Sequence, residues 1–191
     1  MCFYETDGGR IDRAHHQGKA HQALFETLAF DNAVKLVMEM VDLRDTLVIV
    51  TSVHAQGMGF IGYSSRDNPV LGLNDVQLGE DGLPFTSLRY ASGPGGILQE
   101  MSYAENGTRR NLTDVNTADP NFIQSSSVPT TSGNHGGQDV PVYAAGPMAH
   151  MFHRAHEQTY VAHVARLATC LGEYEGDCSR KPQGRKSRKR P

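Results

Sequence analysis

A double glycine near the start constrains this chain more than any other feature. Gly8-Gly9 separates a short apolar run, Cys2-Phe3-Tyr4, from a long helical pattern. Beyond it Ala20, Leu24, Leu28, Val34, Val37, Met38 and Val41 recur mostly at intervals of three and four, which predicts a helix over residues 17 to about 43 with one apolar stripe. Thr46-Leu47-Val48-Ile49-Val50-Thr51 follows, a β-branched run of the kind buried on both faces of a parallel sheet. Strand, helix and strand in that order predict a βαβ unit and an α/β fold. In such sheets ligands collect beyond the carboxyl ends of the strands. Asp7 and Asp12 sit past the end of the first strand and His54 just past the second, so chain order alone brings His54 towards Asp12 and His16.

Asp12 and His16 are four residues apart, and one helical turn puts both on the same face. A carboxylate and an imidazole at that spacing form a two-point clip for a divalent transition metal, zinc above all. The spacing by itself also suits a solvent-facing pair.

Charge separates the body from its end. Residues 180–191 carry seven of the 18 basic residues and no acid, leaving 11 basic residues against 21 acidic ones, about −10, in the rest. Such a body is a poor partner for nucleic acid, and any binding of that kind falls to the basic tail. Cys170 and Cys178 bracket a short Gly- and acid-rich loop and suggest a local disulfide, with Cys2 left over. Two sequons, at Asn106 and Asn111, point with that pair to an oxidising, glycosylating compartment. The first residues have no signal-peptide pattern, and the expectation that resolves the conflict is a chain lacking its true beginning.

Four segments are expected: a βαβ core piece over 1–61, an irregular Gly-, Pro-, Asn- and Ser-rich insertion over 62–133, a return to the core over 134–178, and a basic, disordered tail over 179–191. Gly146 to Phe152 and Glu157 to Leu171 read as helical.

The landmarks Gly8-Gly9-Arg10-Ile11-Asp12 with His15-His16, the strand ending Val50-Thr51 before His54, and His135-Gly136-Gly137 occur in one order. Gly146-Pro147-Met148-Ala149-His150, His156-Glu157-Gln158 and the cysteine pair complete the series. Together they resemble the C-terminal half of an animal alkaline phosphatase, over residues 1 to about 178. That resemblance implies the C-terminal part of an α/β/α sandwich with a crown-like surface insertion, a homodimer, and an extracellular or cell-surface location. The reaction it implies is hydrolysis of phosphate monoesters at a site of two zincs and a magnesium.

By resemblance, Asp12, His16 and His135 match the ligands of the first zinc, His54 one ligand of the second, and Asp7 a magnesium ligand that is a glutamate in the family. Val53 stands where the family has a second-zinc aspartate, Gln56 replaces a histidine, and Arg13-Ala14 replaces His-Gly. The family's nucleophilic serine, bridging aspartate and phosphate-holding arginine belong to its N-terminal half. No Asp-Ser-Ala segment occurs here, and Ser125, Ser126 and Ser127 lie in no activating motif, so no catalytic residue is expected within this chain. The chain is therefore expected to be inactive alone. The alternative is a non-catalytic relative that binds a single zinc or dimerises. It ends in lysines and arginines instead of the apolar segment that precedes a lipid anchor.

Overall fold

A computed structural model describes residues 5–178, the last two as backbone. The predicted first strand at Cys2-Phe3-Tyr4 and the basic tail lie outside the described residues. The chain divides into two compact units. One contains Glu5–Val37 and His54–Val140, and the other contains Met38–Val53 and the described chain from Pro141 onward.

The first unit opens with α1 (Gly9–His16), after which Gly18 takes a left-handed φ of +68°. That conformation suits glycine and ends the helix. A second helix, α2 (Ala20–Met40), starts two residues later. The helix predicted from residue 17 is thus α2, set off from α1 by a sharp joint, and the joint is held because the Gly18 carbonyl accepts the Gln124 N–H at 2.9 Å.

The second unit carries β1 (Val48–Val50), which pairs antiparallel with β7 at Tyr143–Ala145. Among the described residues this is the pairing β1 makes, and the strand is not buried on both faces as expected. Every residue of β1 is half-buried in this antiparallel pair of described strands. Of the helix expected over 146–152, only one 3-10 turn forms at Ala149–Met151, since Met148 before it has a φ of +65°. The last long helix, α4 (Tyr160–Thr169), ends at Cys170 in a left-handed conformation. Cys170 is disulfide-bonded, and the side chain of Cys178, its predicted partner, lies outside the described residues.

The largest departure lies in residues 62–133. In place of an irregular surface insertion, this stretch holds most of the first unit's core. β4 (Leu88–Gly93) is central in a three-stranded sheet, antiparallel to β3 (Met58–Phe60) and parallel to β5 (Ser126–Pro129). Helix α3 (Pro94–Asn106) joins β4 to β5, so a βαβ unit exists here, downstream of where the apolar runs predicted one. Leu88 and Tyr90 are buried with Ala20, and Leu24, Met58 and Leu71 pack against them.

Pro94-Gly95-Gly96 reads as a helix breaker, yet proline fits the first turn of a helix, where its missing N–H has no partner to lose. The glycines admit close backbone approach. A Cβ at Gly96 would lie 2.7 Å from Pro129 Cα. The Gly96 N–H donates to Ser126 Oγ at 2.6 Å, and that hydroxyl donates onward to the Gly93 carbonyl at 2.8 Å. Ser126 is therefore a buried helix-end brace. The Asn and Asp residues of this stretch also have structural work. Asn74, Asp81, Asn111, Asn116 and Asp119 each accept a backbone N–H from two residues on, the local bond that fixes turns.

Candidate metal centre

Helix α1 sorts its residues by face. Ala14 and His15 are buried, and His15 Nδ1 shares a 2.8 Å hydrogen bond with the Tyr90 hydroxyl on β4. Burial lowers the His15 pKa, with the Asp12 charge opposing, and burial raises that of Tyr90. The anchored inner face leaves Asp12 and His16 turned the other way, an Asp–His pair at i, i+4 with Asp12 Oδ1 3.2 Å from His16 Nε2.

His135 reaches the same point from a short antiparallel pair, β2 (Ala55–Gln56) with β6 (His135–Gly136), in which Gln56 and His135 are direct partners. Paired residues share a face of the ribbon. Both side chains accordingly meet Asp12 Oδ1: Gln56 Nε2 donates to it at 2.5 Å, and His135 Nε2 lies 3.4 Å away. The Nε2 atoms of His16 and His135 are 3.1 Å apart.

The protonation of His16 follows from its other nitrogen. Nδ1 lies 2.6 Å from the Gly133 carbonyl oxygen, which can only accept, so Nδ1 carries the hydrogen and a neutral ring leaves Nε2 as a bare lone pair. Two ring nitrogens and a carboxylate oxygen meeting this closely can be joined either by an Nε2–H of His135, donated to one neighbour, or by a metal ion shared by all three. The triangle they form has edges of 3.1, 3.2 and 3.4 Å. A tetrahedral zinc with bonds of about 2.0–2.1 Å has edges of about 3.3–3.4 Å, so the donor set and its spacing fit zinc. The Gly133 contact is the supporting bond that metal-binding histidines use to fix ring and tautomer.

Asp12, His16 and His135 form the convergent group among the described residues. His54 stands at its edge, with Nε2 3.7 Å from Asp12 Oδ1 and its ring stacked on that of His135 at a 3.4 Å centroid distance and 13° between planes. Val53 is 83% exposed and offers no donor atom. Asp7 is exposed just before α1, and its carboxylate folds back over the helix start, within 3.3 Å of where a Gly9 Cβ would be. A carboxylate there suits the helix dipole. Magnesium needs a near-octahedral set of oxygens, and a single exposed carboxylate does not provide one.

A cleft of about 570 Å³ opens beside the trio, lined among others by Asp12, Arg13, His16, Lys19, Thr131 and Ser132. The family resemblance named the trio, and neither it nor the residue pattern pointed to the groups that support it. The Gln56 amide and the Gly133 carbonyl have no pattern of their own. The His15–Tyr90 anchor had one available signal, two consecutive histidines on a helix, which turn about 100° apart and so face different environments. Both sequon asparagines, Asn106 and Asn111, are exposed. No helix among the described residues is long and apolar enough to cross a membrane.

A family model described as alkaline phosphatase matches residues 2–171. The chain is 42% identical over 177 residues to the tissue-nonspecific isozyme of alkaline phosphatase from Gallus gallus, covering 93% of this chain and 33% of that protein. The Homo sapiens tissue-nonspecific isozyme is 40% identical over 177 residues, with the same coverage. An alkaline phosphatase from Gadus morhua is 40% identical over 168 residues, 88% of this chain and 34% of its own length. The chain thus spans about a third of the length of these relatives.

Proposed function

The chain belongs to the alkaline phosphatase family, and from that premise we propose that it carries the first zinc site of a phosphate-monoester hydrolase whose nucleophile lies in sequence outside these 191 residues. The observation that carries this reading is the triangle of Asp12 Oδ1, His16 Nε2 and His135 Nε2, sized for one tetrahedral zinc. When bound, zinc would supply Lewis-acid stabilisation of charge on phosphoryl oxygens. The chain's own residues hold and orient. Gly133 fixes the His16 ring, Gln56 holds the Asp12 carboxylate in place, and the His15–Tyr90 bond secures the helix that bears two of the three ligands. Arg13 and Lys19 line the adjoining cleft and favour an anionic ligand there.

His54 is the remnant of a second zinc site and Asp7 the remnant of a magnesium site, neither with a full donor set among the described residues. A disulfide between Cys170 and Cys178, glycans on Asn106 and Asn111, a homodimer, and an extracellular or cell-surface location complete the reading. They rest on the family and, for the asparagines, on exposure. Binding of nucleic acid is not expected, save through the basic tail.

A second reading, a non-catalytic relative that keeps a single zinc, draws specific support from Val53, which removes a second-site donor. Metal analysis paired with an assay on p-nitrophenyl phosphate tests both readings. The chain alone should bind one zinc and hydrolyse no ester, and supplying the family's N-terminal half should restore turnover under the first reading and not under the second. A chain that binds no zinc contradicts both.

A further inference from the structure

The cleft beside the trio is cationic along its wall and roomier than one phosphate group needs. Both properties bear on which esters the site accepts. Building on the zinc reading above, we propose that Arg13 and Lys19 form a second anion subsite, so that the site prefers phosphate monoesters whose leaving group carries a further phosphate.

Helix α1 sets the spacing between metal and subsite. Arg13 follows Asp12 by one residue and precedes His16 by three, and on an α-helix residues three apart are surface neighbours with Cβ atoms about 5–6 Å apart. Arg13 is exposed and lines the cleft that His16 also lines. Lys19 enters the same cleft from the far side of the left-handed Gly18. Its Nζ donates to Asn121 Oδ1 at 3.3 Å, a neutral partner that orients the ammonium and leaves its charge in place. Arg109 shows the contrasting case, a guanidinium spent on a structural clamp with Asp81. Thr131 and Ser132 line the cleft immediately before Gly133, whose carbonyl holds the His16 ring, and they add hydroxyl donors. Asp12 is the acid among the lining residues, and under the zinc reading its charge is committed to the metal. The wall therefore presents two positive charges beside the metal position.

The chemistry of those charges selects phosphate. A guanidinium fork matches phosphate oxygens two at a time, and an ammonium adds a point charge. A cleft of about 570 Å³ falls within the range of small-molecule sites, about 300–1,000 Å³, and holds a leaving group as well as the phosphoryl group. Pro94 and Ile123 give that leaving group an apolar wall for a short carbon chain. A neutral alcohol would use the wall and neither cation. A leaving group with its own phosphate uses all three.

The test is calorimetric titration of the zinc-loaded 191-residue chain with propyl phosphate and with propane-1,3-diol bisphosphate. It is repeated on Arg13→Gln, Lys19→Gln and Arg13→Lys, with zinc content measured on every sample. The wild type should bind the bisphosphate at least about tenfold more tightly than the monophosphate. Each glutamine variant should cut that ratio to below about threefold and leave propyl phosphate within about twofold of wild type, since the charge removed serves the second anion. Arg13→Lys keeps the charge without the fork, and its ratio should fall between. Equal affinities in the wild type would overturn the inference, as would a ratio that survives both glutamine substitutions. Variants that weaken both ligands alike would also overturn it, because the two cations would then serve the phosphate at the metal. A chain without zinc contradicts the trio, whereas a zinc-loaded chain without the preference contradicts the subsite alone.

Discussion

Helices α1 and α2 follow one another directly, and they are held in opposite ways. α1 is eight residues long and is bonded at its inner face to β4 through His15 and Tyr90, and at its end to Gly133 through His16. α2 is 21 residues long, yet its buried residues are only Ala20 and Ala23 in its first turn, while Phe25, Leu28, Leu36 and Met40 are exposed. The short helix carries the chemistry because it is fixed to a packed strand. The long helix is the more apolar of the two and the less firmly anchored. Apolar content measures what a helix is able to bury, and burial depends on what stands opposite.

The largest effect that sharpens this contrast belongs to the platform under α1. Leu88→Ala removes a side chain with no exposure from the centre of β4, and should cost about 2–5 kcal/mol in urea unfolding. It should also weaken zinc binding, because the helix bearing Asp12 and His16 rests on that platform. Next comes Tyr90→Phe, which strips the buried His15 Nδ1 of its partner and should cost about 1–3 kcal/mol by the same measurement. A cost below half a kcal/mol would show that α1 is held by other means.

A third, smaller effect concerns acid. Arg109 clamps Asp81 through two nitrogens, at 2.6 and 2.8 Å, and also donates to the Pro84 carbonyl. Its side-chain hydrogen bonds hold the Asp81 carboxyl below the usual aspartate range. The folded state therefore binds fewer protons there than the unfolded chain. The stabilisation is present above the unfolded aspartate value of about 3.9, and it is lost as pH falls through the lower folded value. Asp81→Asn should lower the melting temperature at pH 7 and flatten its decline between pH 5 and pH 3. The smallest change is expected on α2. Leu28→Ser and Leu36→Ser should each fall within about 0.5 kcal/mol of the parent, as exposed positions do. A larger loss would mean that this face is covered in solution.

How legible the molecule was divides along the same line. Asp12 and His16 were legible from their spacing and His135 only from the family resemblance, and the structure gathers those three. The βαβ unit was expected to close on the β-branched run over residues 46–51, whose partner strand lies outside the described residues; among the described residues a βαβ unit lies at β4–α3–β5. Composition hid it, since the Gly, Pro, Asn and Ser of residues 62–133 read as loop. Pro94 starts a helix, Gly96 lets that helix touch β5, and Asn74 and Asp81 close turns around a buried strand. The same residue types that break regular structure also permit tight packing, and one-dimensional patterns do not separate the two roles. Gln56 was seen as the loss of a histidine, while its contact with Asp12 depends on a strand register that no local pattern encodes.

The central claim, that Asp12, His16 and His135 together hold one zinc, is tested most directly by X-ray absorption at the zinc edge of the loaded chain, wild type against Asp12→Ala. The account predicts four nitrogen and oxygen scatterers at about 2.0–2.1 Å with the outer-shell signature of imidazole, and no bound zinc in the variant. A sulfur shell at about 2.3 Å, a six-oxygen shell without imidazole, or an unchanged spectrum in Asp12→Ala would contradict it.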